Sequence, residues 1–104
     1  MDTQWLEISL RKIIEKDMEL FQENPKRENL QRMNTLVTII FLFPVQINLW
    51  RVQNIYYEVL QSLYSDVKEK ADGGDEQARV WLAEFLHLGQ RLSIDVDEMI
   101  RYVQ

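Results

Sequence analysis

The sequence predicts an all-α domain, an up-down bundle of four main helices followed by a short C-terminal helix. Three observations carry this. Apolar residues recur at spacings of three and four through most of the 104 residues. Pro25, Pro44 and the Gly73-Gly74 pair cut the chain into segments of helical length. The one run rich in β-formers, Leu36–Phe43, has no partner strand elsewhere.

The first helix is expected from about Thr3 to Glu23. Asp2 or Thr3 would cap it, because a side-chain oxygen can accept from the free first-turn amides. Leu6, Leu10, Ile13, Ile14 and Phe21 share one flank, with Lys12, Glu15, Lys16 and Glu19 opposite. Asn24-Pro25 ends it, since a proline ring disfavours helical backbone in the residue before it. The second helix starts near Pro25, a residue tolerated in a first turn. Leu30, Met33, Leu36, Val37 and Ile40 form its stripe, and its LVTIIFLF end is expected to be buried nearly all round until Phe43-Pro44 breaks it.

The third helix is the longest, from Val45 or Gln46 to Lys70, with Leu49, Val52, Tyr56, Val59, Leu63 and Val67 inward. Ala71-Asp72-Gly73-Gly74 stops it. Asp75 caps the fourth helix, whose inward set is Ala78, Trp81, Leu82, Phe85, Leu88 and Leu92. Gly89 costs about 1 kcal/mol relative to alanine inside a helix, and its lack of a side chain offers a close approach to a neighbour. The last helix, Val96–Val103, is capped by Asp95 or Asp97. Short linkers favour antiparallel neighbours.

Length fits a single domain spanning 1–104. At 12.5 kDa such a domain exposes roughly 6,200 Å² when folded and buries about two-thirds of its unfolded surface. With 46% hydrophobic residues the chain is too apolar to be disordered. The absence of cysteine excludes disulfides and thiolate chemistry and is compatible with a reducing compartment, so a cytoplasmic location is expected. No signal-peptide pattern opens the chain, and the apolar run Leu36–Val45 is far short of the ~20 residues that span a bilayer. A net charge of −5 argues against nucleic-acid binding, which needs a positive field to displace phosphate counterions.

Chemistry-bearing constellations are sparse. His87 is the sole histidine, with Glu84 three residues before it, and reads as a surface or boundary residue. One histidine without cysteine makes a poor zinc site. The carboxylates of Asp72, Asp75 and Glu76, and of Asp95, Asp97 and Glu98, fall at expected helix starts, where free amides and the helix dipole account for them. Gly73-Gly74 follows a helix rather than a strand and lacks the lysine-serine pair of a phosphate loop. No catalytic residue, cofactor or metal is therefore expected.

The stretch 47–57 is the most distinctive. Asn48, Trp50, Arg51, Gln53, Asn54 and Tyr57 combine ring faces with amides within about two turns, a surface that suits either a protein interface or a sugar ring. Against that stands a plainer reading, in which Trp50 and Tyr56 are core and the amides bond a neighbouring loop.

INLWRVQNIYYEVL, with the later ARVWLAEFLHLGQRLSIDV, resembles the helical C-terminal region of some bacterial glycoside hydrolase family 57, α-amylase-like proteins. The likeness covers about a third of the chain. It implies a helical appendage, excised from a larger protein, that packs on a carbohydrate-active domain. That family's catalytic carboxylates lie in a barrel this chain lacks, so no catalytic role transfers to any position here.

The leading expectation is a non-catalytic accessory or interaction domain that binds another domain of the same protein or a partner protein. Trp5, Trp50 and Trp81, with four tyrosines and four phenylalanines, exceed what a small bundle easily hides. The rivals are a carbohydrate-binding module built on Trp50–Tyr57, a homodimer or larger homo-oligomeric bundle, and an enzyme whose carboxylates converge in a pocket.

Overall fold

The computed structural model describes residues 3–103, with side chains to Arg101. It contains α1 (Gln4–Glu23), α2 (Arg27–Ile40), α3 (Trp50–Asp72), α4 (Glu76–Arg91) and α5 (Val96–Val103), and no strand among the described residues. The all-α bundle of four main helices and a short fifth is thus the observed fold. No helix is long and apolar enough to cross a membrane among the described residues.

Cross-helix contacts give the directions. Residue numbers rise together in Glu19–Arg51 and Gln22–Glu58, so α1 and α3 run parallel. They do so again in Arg27–Glu84 and Thr38–Arg91, so α2 and α4 run parallel. They run oppositely in Gln53–Leu92 and Tyr56–Phe85, so α3 and α4 are antiparallel. Helices α1 and α2 are joined by a tight turn and tied by Asp17–Arg32 at 3.3 Å. Neighbours around the bundle are therefore α1, α2, α4, α3 and back to α1, while α5 packs on α3 and α4.

This order explains the largest departure from expectation. The third helix starts at Trp50, not Val45 or Gln46, and α2 ends at Ile40, before Phe43. Helices α2 and α3 occupy opposite corners, so the link between them must cross the end of the bundle. Nine residues, 41–49, make the crossing. Extended chain at ~3.3 Å per residue easily spans the ~14 Å diagonal set by 8–10 Å helix spacings. From Pro44 the link alternates: Val45, Ile47 and Leu49 pack against the core, and Pro44, Gln46 and Asn48 face water. That period of two belongs to extended chain.

The core is apolar throughout, and no polar or charged residue is buried among those described. Leu10, Ile14, Met18 and Phe21 supply it from α1, and Leu30, Met33, Val37 and Ile40 from α2. Helix α3 adds Val52, Ile55, Tyr56, Val59, Leu60 and Tyr64, and α4 adds Trp81, Phe85 and Leu88. Leu92, Ile94 and Val96 close it beneath α5. Aromatic rings bridge the corners: Phe85 lies 4.3 Å from Tyr56, 4.8 Å from Trp81 and 6.0 Å from Phe21 between centroids. Several inward assignments move outward. Ile13 faces water, and Leu6, Leu36, Leu49, Leu63, Val67 and Leu82 are only partly buried.

The caps sort as follows. Asp75 Oδ1 accepts from the Ala78 amide at 3.1 Å, and Asp95 Oδ1 from the Glu98 amide at 3.1 Å. Thr3 occupies the cap position of α1 without a side-chain bond, and Asp2 lies outside the described residues. Asp72 ends α3 instead of opening a helix and pairs with Lys68 at 2.8 Å. The Gly89 prediction is met: a Cβ there would fall 2.4 Å from Tyr56 Oη and 2.6 Å from Val96 Cγ2, so the absent side chain is what lets α3 and α5 close on α4.

Candidate functional site

The stretch singled out from sequence straddles the crossover and the first turns of α3. Trp50 opens the helix and is 69% exposed, which overturns its placement in the core, whereas Tyr56 is fully buried. Tyr57 lies seven residues after Trp50, two turns on and on the same outer face, and is partly exposed. Arg51 points to the other side and pairs with Glu19 at 3.5 Å.

The amides have partners within the chain. Asn48 Oδ1 accepts from the Trp50 amide at 2.9 Å, which starts the helix. Asn54 Nδ2 donates to the Trp50 carbonyl at 2.7 Å. Gln53 Nε2 donates to the Leu92 carbonyl at 2.8 Å and thereby ties α3 to the end of α4. Gln61 donates to the Tyr57 hydroxyl at 3.0 Å. Only Gln53 reaches a neighbouring segment as the plainer reading expects; Asn48 and Asn54 close on Trp50 instead, while the indole is held out to water.

Tyr56 shows what burial does to a phenol here. Its hydroxyl donates to the Phe85 carbonyl at 2.8 Å. Loss of water around the ring pushes its pKa far above the ordinary 10, and a backbone hydrogen bond at Gly89 opposes this weakly. That is a structural tyrosine, sealed in the core.

No group of three His, Cys, Asp or Glu among the described residues is arranged to hold a metal. His87 is exposed and sits beside Asn34, Thr38, Glu84 and Arg91 in a shallow polar surface between α2 and α4. Arg91 there donates to the Asn34 carbonyl at 2.7 Å and to the Thr38 hydroxyl, and Asn34 Nδ2 donates to the Glu84 carbonyl at 3.3 Å. These bonds staple two helices. A concavity of about 640 Å³ lies at the opposite end of the bundle from the crossover. Leu63, Val67, Val80 and Trp81 form its apolar floor, and Trp81 Nε1 donates to the Pro25 carbonyl at 2.8 Å.

The feature sequence reasoning missed is the crossover end. The sequence predicts Phe41, Leu42 and Phe43 in a helix buried nearly all round, yet α2 ends at Ile40 and all three are exposed, Leu42 to 81%. Trp5, 66% exposed, lies at the same end. Glu7, two residues after it, accepts from the Asn48 amide at 3.2 Å, so the start of α1 meets the start of α3 there. The signal was available: a helix at one corner of a square bundle hides only part of its circumference, so a segment with no polar face must leave apolar groups outside. Comparison with protein-family models, with curated proteins and with solved structures gave no match.

Proposed function

We propose that this chain is a non-catalytic helical interaction domain whose crossover end docks on another protein surface, a neighbouring domain of the same protein or a separate partner. One observation carries the reading. Phe41, Leu42 and Phe43 are exposed in succession at a turn, with Trp5 and Trp50 at the same end, while Tyr56, Phe85, Trp81 and Phe21 fill the core. Exposed aromatic and aliphatic side chains gathered in one region mark interfaces more often than random surface does. The resemblance noted above suggests an α-amylase-like catalytic domain as the partner, and rests on the sequence alone.

The test is a photo-reactive amino acid in place of Leu42, irradiated in cells that normally make the protein, with Glu69 at the far end of α3 as the control position. A dominant adduct from position 42 and none from position 69 supports the reading, and its mass spectrum names the partner. Scattered adducts, or equal ones from both positions, refute it.

Carbohydrate binding is the second reading, favoured by the outward indole of Trp50 with Tyr57 on the same face. It ranks lower because the amides of Gln53 and Asn54 are committed to the Leu92 and Trp50 carbonyls. Maltooligosaccharides at millimolar concentration should shift amide resonances around Trp50 and Tyr57. An unchanged spectrum removes it.

A further inference from the structure

The crossover end and the concavity at the far end are opposite in shape and alike in chemistry. Phe41, Leu42 and Phe43 sit on a turn in which the Leu42 and Phe43 amides donate to the Ile39 and Ile40 carbonyls, both at 3.1 Å. The turn holds out Leu42, 81% exposed, with an exposed phenylalanine on either side. The far end is hollow instead, about 640 Å³ over a floor of Leu63, Val67, Val80 and Trp81. That volume falls within the roughly 300–1,000 Å³ of sites that enclose drug-sized ligands, so it has room for a leucine and a phenylalanine side chain. The molecule is elongated, 53 by 26 by 21 Å, with the tip at one end of the bundle and the hollow at the other.

Charge leaves these two ends as the easiest places for copies to meet. The chain carries a net charge of −5, so two copies repel. Residues 33–50, which include the tip, contain no ionisable group. The rim of the hollow is neutral in sum, with Arg27 and Lys70 against Asp75 and Glu76. Three of those four are already engaged: Arg27 with Glu84 at 3.2 Å, Glu76 with Arg79 at 3.5 Å, and Asp75 with the Ala78 amide at 3.1 Å. An uncharged apolar tip therefore enters without stranding an ion away from water, and its entry removes apolar surface from water on both sides.

We infer that the chain associates with itself head to tail, the 41–43 tip of one copy seated in the hollow over Val80 and Trp81 of the next. The inference rests on the docking reading of the crossover end and names a second copy as its partner. The contact pairs unlike surfaces from opposite ends. Each assembly thus keeps a free tip at one end and a free hollow at the other, and growth runs open-ended along the long axis.

The test is sedimentation equilibrium of the full chain from 1 μM to 1 mM, with Leu42→Asp at the tip, Val80→Glu in the hollow, and an equimolar mixture of the two. The wild type should grow past the dimer, its average mass rising without a plateau. Each variant alone should associate at least 100-fold more weakly. Mixed, the two should form a 1:1 dimer and nothing larger, because one sound tip then meets one sound hollow. A monomeric wild type, a mass that levels off at the dimer, or folded variants that do not pair when mixed overturns the inference. If Val80→Glu does not fold, a photo-reactive residue at 42 in a mixture of isotope-labelled and unlabelled chains decides. An adduct joining position 42 of one copy to residues 63–81 of another upholds the inference, and its absence overturns it. A wild type that stays monomeric in solution, while position 42 captures a different protein in cells, overturns this inference alone and leaves the docking reading standing. A monomeric wild type with only scattered adducts in cells removes both.

Discussion

Replacing Gly89 with alanine sets two effects of opposite sign against each other. Inside a helix, alanine is favoured over glycine by about 1 kcal/mol. Here the added methyl would sit 2.4 Å from Tyr56 Oη, 2.6 Å from Tyr56 Cζ and 2.6 Å from Val96 Cγ2, whereas ordinary contact begins at 3.4 Å. The ring cannot slide freely, because it stacks on Phe85 at 4.3 Å and its hydroxyl is bonded to the Phe85 carbonyl at 2.8 Å. Forcing an extra carbon into a packed core costs about 1–3 kcal/mol, and disturbing a buried hydrogen bond about 1–3 kcal/mol more. The steric side wins, and Gly89→Ala should destabilise by about 2–3 kcal/mol net of the propensity gain. For a domain of this size that lowers the melting temperature by roughly 10–20 °C. Circular dichroism during thermal and urea unfolding measures it. Adding Val96→Ala should recover part of the loss, since it removes one of the clashing methyls. A Gly89→Ala protein as stable as the wild type, or more so, would show that α3 and α5 do not close on α4 as described.

Other perturbations probe other parts of the fold. Asp75→Ala should cost about 1 kcal/mol by freeing the Ala78 amide, read as a lower urea midpoint and faster exchange of that amide. Leu60→Ala, at a fully buried position, should cost about 2–5 kcal/mol, and Leu82→Ala, only partly buried, about half as much; equal losses in urea melts would contradict their burial. Tyr56 predicts an alkaline limit. Its folded pKa lies above the unfolded value of 10, so the native state holds the proton more tightly. The stabilisation is therefore complete below pH 10 and is lost as pH rises from there towards the folded value. Tyr56→Phe should lose about 1 kcal/mol at neutral pH and show a flatter alkaline decline in melts, and a slope identical to the wild type would place the titration elsewhere.

The helices were legible because each depends on residues near one another in sequence. Asn24-Pro25 stops α1 at Glu23 and Asp75 starts α4 at Glu76, both as spacing and cap chemistry require. The crossover was illegible for the opposite reason. Whether Val45–Leu49 continue a helix or run extended depends on which corner α3 occupies, and no local preference encodes that. The candidate surface fared similarly. Trp50 and Tyr56 look alike in sequence, six residues apart and both aromatic. Helix period sets them about 120° apart and puts Tyr56 on the inward stripe, but that the flank carrying Trp50 meets no neighbour depends on which corners the other helices occupy. The amides of Gln53 and Asn54 stand out among the aromatics in sequence, but their partners, the Leu92 and Trp50 carbonyls, depend on helix ends that spacing does not locate.

The diagonal link makes the molecule two helical hairpins, α1–α2 and α3–α4, laid side by side the same way up. Each hairpin closes over a tight turn, so its ends meet at little entropic expense. The second hairpin stacks Phe85 on its own Tyr56 and Trp81, but Phe21 of the first reaches Trp81 and Phe85 only when the halves merge. Stability is thereby vested in the joint between them, and loosening either hairpin dissolves the centre of both.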